Sequence, residues 1–179
     1  KINKKDASVY VAIAKAYSMN GMEAEAQAAL DNAKKYNAND PAIYLYEGDL
    51  LISKDKPGDA AGRYEQAIHF DPACKEAYIK YANVYQGVTP TLSIEMLQKV
   101  ISNYPDYLPA YCHLGNIYSL QGNYPKAVAA YKTYMAGGLY STDNLVHYAS
   151  ALFFNKQYAE SGKIISEGQA IDPDNFLLK

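Results

Sequence analysis

Three side-chain types in this chain could do chemistry of their own: histidine, cysteine and the amide of asparagine. The histidines are His69, His113 and His147, and the last two stand 34 positions apart. A zinc site would need ring nitrogens about 2.1 Å from one ion, with further ligands beside them. No third ligand stands at a matching position, so neither histidine is assigned to a metal; a groove contact that responds to pH fits them better. The cysteines are Cys74 and Cys112, too few for a secreted disulfide scaffold, and both are read as free thiols. Cys112 and His113 are adjacent, which invites a nucleophile–base reading. Consecutive helical residues point about 100° apart, however, and such a pair must lie within hydrogen-bond reach. The phosphate loop GxxxxGK[ST], the zinc motif HExxH and the pair CxxC are all absent. No catalytic residue, cofactor or metal is therefore expected. What remains is recognition: Asn83 and Asn116 carry amides that donate and accept at once, as the backbone of an extended peptide requires.

Composition narrows the class. The 179 residues are 49% hydrophobic and 20% charged, enough apolar material for a packed domain rather than a disordered tail. A net charge of -2 lacks the basic bias of a nucleic-acid binder. No run of 18 apolar residues occurs, so no membrane span is expected, and no leader pattern opens the chain. The sequence holds 19 Tyr and no Trp, which makes Tyr either the aromatic packing residue or a binding surface. The register of the chain decides between these.

That register is a repeat. Tyr10, Tyr44, Tyr78 and Tyr111 follow one another at intervals of 34, 34 and 33 residues, and Leu145 continues the series. The units are 7–40, 41–74, 75–107, 108–141 and 142–175. A small residue recurs four places on, at Ala14, Gly48, Ala82, Gly115 and Ala149, followed after three more by Tyr17, Leu51, Tyr85, Tyr118 and Leu152. Later columns hold Ala26, Ala60, Ser93, Ala127 and Ser161, then Leu30, Tyr64, Leu97, Tyr131 and Ile165. Spacings of three and four place these residues on one helix face. The small columns let antiparallel helices approach closely. Each unit reads as helix, short turn, helix, and a hairpin of this size buries its apolar stripe only against a neighbour.

Asn20-Gly21, Pro57-Gly58 and Gly122-Asn123 mark the breaks inside units. Asp40-Pro41 and Thr89-Pro90 offer N-caps followed by proline in the first turn. Pro72, Pro105 and Pro173 end second helices, since proline inside a helix costs about 3 kcal/mol. The spacing predicts ten helices, near 7–20, 23–36, 41–54, 57–70, 75–87, 90–103, 108–121, 124–137, 142–155 and 158–171. Unit 3 is one residue short. Unit 4 has Tyr134 and Gly137-Gly138 where a small residue and a proline are expected, so the junction of units 4 and 5 is expected to pack differently.

These residues resemble the tetratricopeptide repeat family, with unit 4 the best match through Tyr111, Leu114-Gly115, Tyr118, Gly122, Tyr124, Ala127 and Tyr131. The resemblance covers about the whole chain as a single domain. It implies an all-α fold, a right-handed α-solenoid of antiparallel helix pairs, with first helices lining a concave face. The ends look cut: Ile2-Asn3-Lys4 reads as the tail of an earlier unit and Phe176-Leu177-Leu178 as the start of another. A fragment of a longer protein is expected, with exposed ends through which copies could pair. Tyr-rich, Trp-free repeats of this look occur in bacteria, where many such proteins are exported; cytoplasm and export both stay open.

By register, the concave face is centred on Tyr46, Asp49, Lys80, Asn83, His113, Asn116 and His147. Thirteen of the tyrosines fall in packing columns, Tyr158 among them. Tyr46 does not, and is expected as a contact residue. One subclass of the family grips a C-terminal carboxylate with Lys and Asn at set positions of three successive units. Here units 1 to 3 offer Val11, Lys15, Tyr46, Glu76 and Lys80 instead, and the other windows also fail. The implied function is a protein-interaction module that binds a peptide segment in the concave groove. The rival is a structural spacer or assembly segment of a larger multidomain protein. The partner is a protein or peptide, not nucleic acid.

Overall fold

The computed structural model describes residues 6–138 and 141–173. The readings at Ile2-Asn3-Lys4 and Phe176-Leu177-Leu178 lie outside them. Among the described residues there are ten α-helices and no strand: α1 Ala7–Met19, α2 Glu23–Tyr36, α3 Pro41–Ser53, α4 Pro57–Phe70, α5 Lys75–Tyr85, α6 Pro90–Asn103, α7 Leu108–Leu120, α8 Tyr124–Met135, α9 Thr142–Phe154 and α10 Tyr158–Ile171. Each sits where the aromatic and small-residue period predicts it. Second helices end before Pro72, Pro105 and Pro173, whose rings cannot continue a helix. α8 stops at Met135 and has 12 residues, against 14 in α2, α4, α6 and α10, because Gly137-Gly138 follow.

Helix starts use the expected chemistry unevenly. The Asp40 carboxylate accepts from the Ala42 amide at 2.9 Å, with Pro41 in the first turn. Thr89 occupies the N-cap of α6, but its side chain makes no capping bond. At α9, Ser141 and Asn144 form a reciprocal capping box.

Four first helices end in one device. The amides of Met22, Lys56, Asn123 and Gln157 donate to the carbonyls of Tyr17, Leu51, Tyr118 and Leu152, five residues back, at 2.8–3.0 Å. The residue before each donor is left-handed: Gly21, Asp55, Gly122 and Lys156, with φ between 55° and 73°. This double-bonded C-cap satisfies carbonyls that the helix end would otherwise orphan. Pro57-Gly58 opens α4 at the predicted helix start, and the turn just before it is made by Asp55.

The chain divides into two compact bodies, Lys1–Tyr85 with α1 to α5 and Gln86–Lys179 with α6 to α10. In the first, α1 pairs with α2 and α3 with α4, while α5 packs on α4. Val11, Ala14, Leu30, Ala33, Ile43 and Tyr46 form one core cluster, and Leu45, Ala60, Tyr64, Ala67 and Ala77 another. In the second body α7 pairs with α8 and α9 with α10, while α6 packs on α7 and α8 on α9. Its core includes Cys112, Val128, Tyr131, Tyr148 and Leu152.

The small columns do what their spacing predicts. At Gly48 a Cβ would lie 2.3 Å from Cε1 of Tyr64, and at Gly115 it would lie 2.6 Å from Cε1 of Tyr131. Both glycines are needed for close approach, since atoms of a tyrosine ring from the second helix occupy the space a Cβ would fill at each.

Candidate functional site

Each body has a groove beside its first helices, built around the same contact. In the first body the Tyr64 ring passes over Gly48 on α3, and its hydroxyl donates to Asp49 Oδ1 at 2.9 Å. Lys80 on α5 donates to the same oxygen at 2.8 Å and lies 3.5 Å from Glu76. Asp49, Ile52, Pro57, Tyr64, Lys80 and Asn83 line a cavity of 520 Å³. Burial, helped by the bond to Asp49 and its charge, pushes the Tyr64 phenol well above its ordinary range. Burial works against the Lys80 ammonium, but Asp49 and Glu76 together outweigh it and raise its pKa. The two carboxylates hold this cation in place and leave the groove charged.

In the second body Tyr131 passes over Gly115 on α7 and donates to Asn116 Oδ1 at 2.6 Å. The acceptor is now an amide, so the contact is neutral. Burial pushes the Tyr131 phenol up to about 12, although the Ser119 hydroxyl beside it works the other way. Asn116, Tyr124, Tyr131, His147, Ser150 and Phe154 lie along a cavity of 360 Å³. The Tyr124 ring stacks on Phe154 with centroids 5.1 Å apart.

The seven residues chosen by register therefore divide. Asp49, Lys80 and Asn83 share the first groove, and Asn116 and His147 share the second. His113 lies on α7, half-buried, and desolvation lowers its pKa below the ordinary 6.5, so it is neutral at pH 7. Tyr46 is a packing residue, contrary to expectation: it is only 5% exposed, belongs to the core cluster of the first hairpin, and donates to the Ala14 carbonyl at 3.2 Å. Its ring turns to α1 because Ala14 leaves room there; Lys15 sits over it, 5.8 Å from the centroid. Conversely Tyr158, placed in a packing column, is 58% exposed and meets Phe153 edge to face.

Register did not select Tyr64 or Tyr131 as groove residues, because they sit on second helices. The signal was nonetheless present. Tyrosine occupies that column only where the facing small column holds glycine, in the pairs Gly48/Tyr64 and Gly115/Tyr131, whereas Ala14 goes with Leu30 and Ala149 with Ile165. Both cysteines are free; burial raises the thiol pKa of Cys74 and Cys112, and Cys112 Sγ accepts from the Asn144 amide at 3.3 Å. Among the described residues no group of three metal-ligating side chains converges, and no helix is long and apolar enough to cross a membrane.

A family model described as tetratricopeptide repeat matches residues 96–129, from the middle of α6 through α7 into α8. Residues 96–129 thus form a tetratricopeptide repeat. Solved structures agree with that fold over nearly the whole length of the chain. PilW, a widely conserved type IV pilus biogenesis factor, aligns at a TM-score of 0.79 and 17% identity, covering 98% of this chain and 82% of PilW. PilF of Pseudomonas aeruginosa gives 0.78 at 13% identity, with 99% and 81% covered. YrrB, a tetratricopeptide protein with an unusual peptide-binding site, gives 0.68 at 18% identity, with 98% and 91% covered. At these identities the likeness is one of fold: an all-α solenoid of antiparallel helix pairs. No sequence match was found among curated proteins.

Proposed function

We propose that this chain is a protein-interaction module that holds a polypeptide segment in the grooves beside its first helices. The observation that carries the reading is the repeated Tyr–Asp/Asn contact. In each body a second-helix tyrosine reaches over a glycine and fixes a polar group at the groove, Asp49 in one and Asn116 in the other. A group fixed before the ligand arrives loses little entropy on binding. Lys80 and Asn83 beside Asp49, and His147 beside Asn116, add donors and acceptors suited to a peptide backbone. Ile52 and Val84 supply apolar area in the first groove. YrrB, whose fold this chain shares, has a peptide-binding site of its own. The module does its work by holding rather than by catalysis.

The test uses affinity capture from extracts of the source cell with three forms of the chain. A Lys80→Ala/Asn83→Ala/His147→Ala variant, altered in both grooves and shown by circular dichroism to stay folded, loses the partners that the unaltered chain retains. A Lys35→Ala/Lys132→Ala control, altered at exposed second-helix positions, keeps them. A folded triple variant that captured every partner would remove the groove from consideration.

A further inference from the structure

The two grooves differ in charge, and the difference points to a ligand class. We propose that the cavity of the second body anchors an uncharged stretch of peptide through one aromatic or large aliphatic side chain. This rests on the reading of the chain as a peptide-holding module and specifies what one of its sites takes.

Among the described residues lining this cavity there is no carboxylate, lysine or arginine. Its polar members are the amides of Gln86 and Asn116, the hydroxyls of Ser119, Ser150, Tyr124 and Tyr131, and the imidazole of His147. A charged ligand side chain buried here would lose hydration and gain no counter-charge, which costs more than neutral contacts return. The first groove is the internal comparison, because at the position of Asn116 it has Asp49, already joined to Lys80.

The apolar part of the cavity is open to a visitor. Leu120 is 70% exposed and Phe154 58% exposed, large values for side chains of this kind. Phe154 is held rather than loose, since Tyr124 stacks on one side of it and Phe153 meets it edge to face at 5.7 Å. A rigid exposed ring beside a buried one, Tyr131, makes a slot for a further ring or branched side chain. The cavity volume of 360 Å³ is at the small end of ligand pockets, as suits one anchoring side chain rather than a long surface. The polar rim then reads the backbone. The Tyr131 hydroxyl fixes Asn116 with its oxygen turned inward and its NH2 as the donor end.

A random peptide display library selected on the intact chain tests this. Selected sequences should converge on a neutral core with Phe, Tyr, Trp or Leu. As synthetic peptides with blocked ends, they should shift the amide resonances of Asn116, Ser150 and Phe154, and their affinity should hardly change from low to high salt. Phe154→Ala, at an exposed site, should weaken them about tenfold, the loss of one apolar anchor. Asn116→Asp, which keeps an acceptor for Tyr131 and adds the charge found at Asp49, should weaken them similarly. Peptides selected for charge, losing affinity with salt, or binding only beside Asp49 and Lys80 would overturn the anchor and leave the module reading in place. Failure to select any peptide would count against both.

Discussion

At the scale of single residues, one side-chain type does two jobs. Tyr64 and Tyr131 fill the space above Gly48 and Gly115 with their rings and position Asp49 and Asn116 with their hydroxyls. Buried, each phenol holds its proton past the ordinary pKa of 10.0, Tyr131 to about 12. A folded-state pKa above the unfolded one gives stability that is complete below pH 10.0 and is lost as the pH rises through the folded value. Stability measured by urea unfolding should therefore be level across mild alkali and fall between about pH 10 and 12. In a spectrophotometric titration, Tyr131→Phe should remove part of the last-titrating absorbance and flatten that fall. A titration in which every tyrosine ionised together near 10 would contradict the buried contact. His113 runs the other way: its folded pKa lies below 6.5, so its contribution is complete above that value and is lost as the pH falls below it.

At the scale of elements, the ends of the first helices are the most uniform feature of the chain. The double-bonded cap after α1, α3, α7 and α9 needs a left-handed residue, which is glycine at 21 and 122 but Asp55 and Lys156 at the other two. An L-residue in that conformation costs roughly 1–2 kcal/mol, and the greater freedom of glycine in the unfolded chain takes back part of the gain. Asp55→Gly and Lys156→Gly should thus each stabilise the protein by about 0.5–1 kcal/mol in urea unfolding. A loss of stability in both would mean that those side chains contribute contacts the turn geometry does not show. This register also explains what could be read from the sequence alone. The ten helices were legible because aromatic and small residues recur on one face, and because prolines and glycines sit at helix ends. The turn at Asp55 was not, since nothing in an aspartate announces positive φ, and Pro57-Gly58 nearby is the stronger signal. The groove was half legible: first-helix positions found Asp49, Lys80, Asn83, Asn116 and His147. They could not show that Tyr46 turns into the core or that Tyr64 and Tyr131 reach the groove from second helices. Those outcomes depend on how far apart two helices stand, which is set by a small residue on the partner, Ala14 for Tyr46 and Gly48 and Gly115 for the other two.

At the scale of the whole molecule, packing is between neighbours. Each helix makes its contacts with the next one or two along the chain inside its own body, so stability should be distributed as a sum of hairpin and interface contributions rather than shared equally. The second body shows where it is thinnest. α8 buries Ala127, Val128, Ala130 and Tyr131, whereas α10 buries only Ser161 and Gly168. Ser161 is tied to the Ala149 carbonyl at 2.8 Å, but Ile171 and Tyr158 at the ends of α10 are exposed. Gly162 sits within α10 in open space, where a Cβ would touch nothing within 4 Å, so it gives up about 1 kcal/mol of helix propensity with no close approach in return. Hydrogen exchange should consequently open α10 first in this body and α8 late. Gly162→Ala should slow exchange along α10 several-fold, as that propensity gain implies, while leaving α7 and α8 as they were. Equal protection in α8 and α10, or a Gly162→Ala effect spread evenly over α7 to α10, would show that the second body opens as one cooperative block and not hairpin by hairpin.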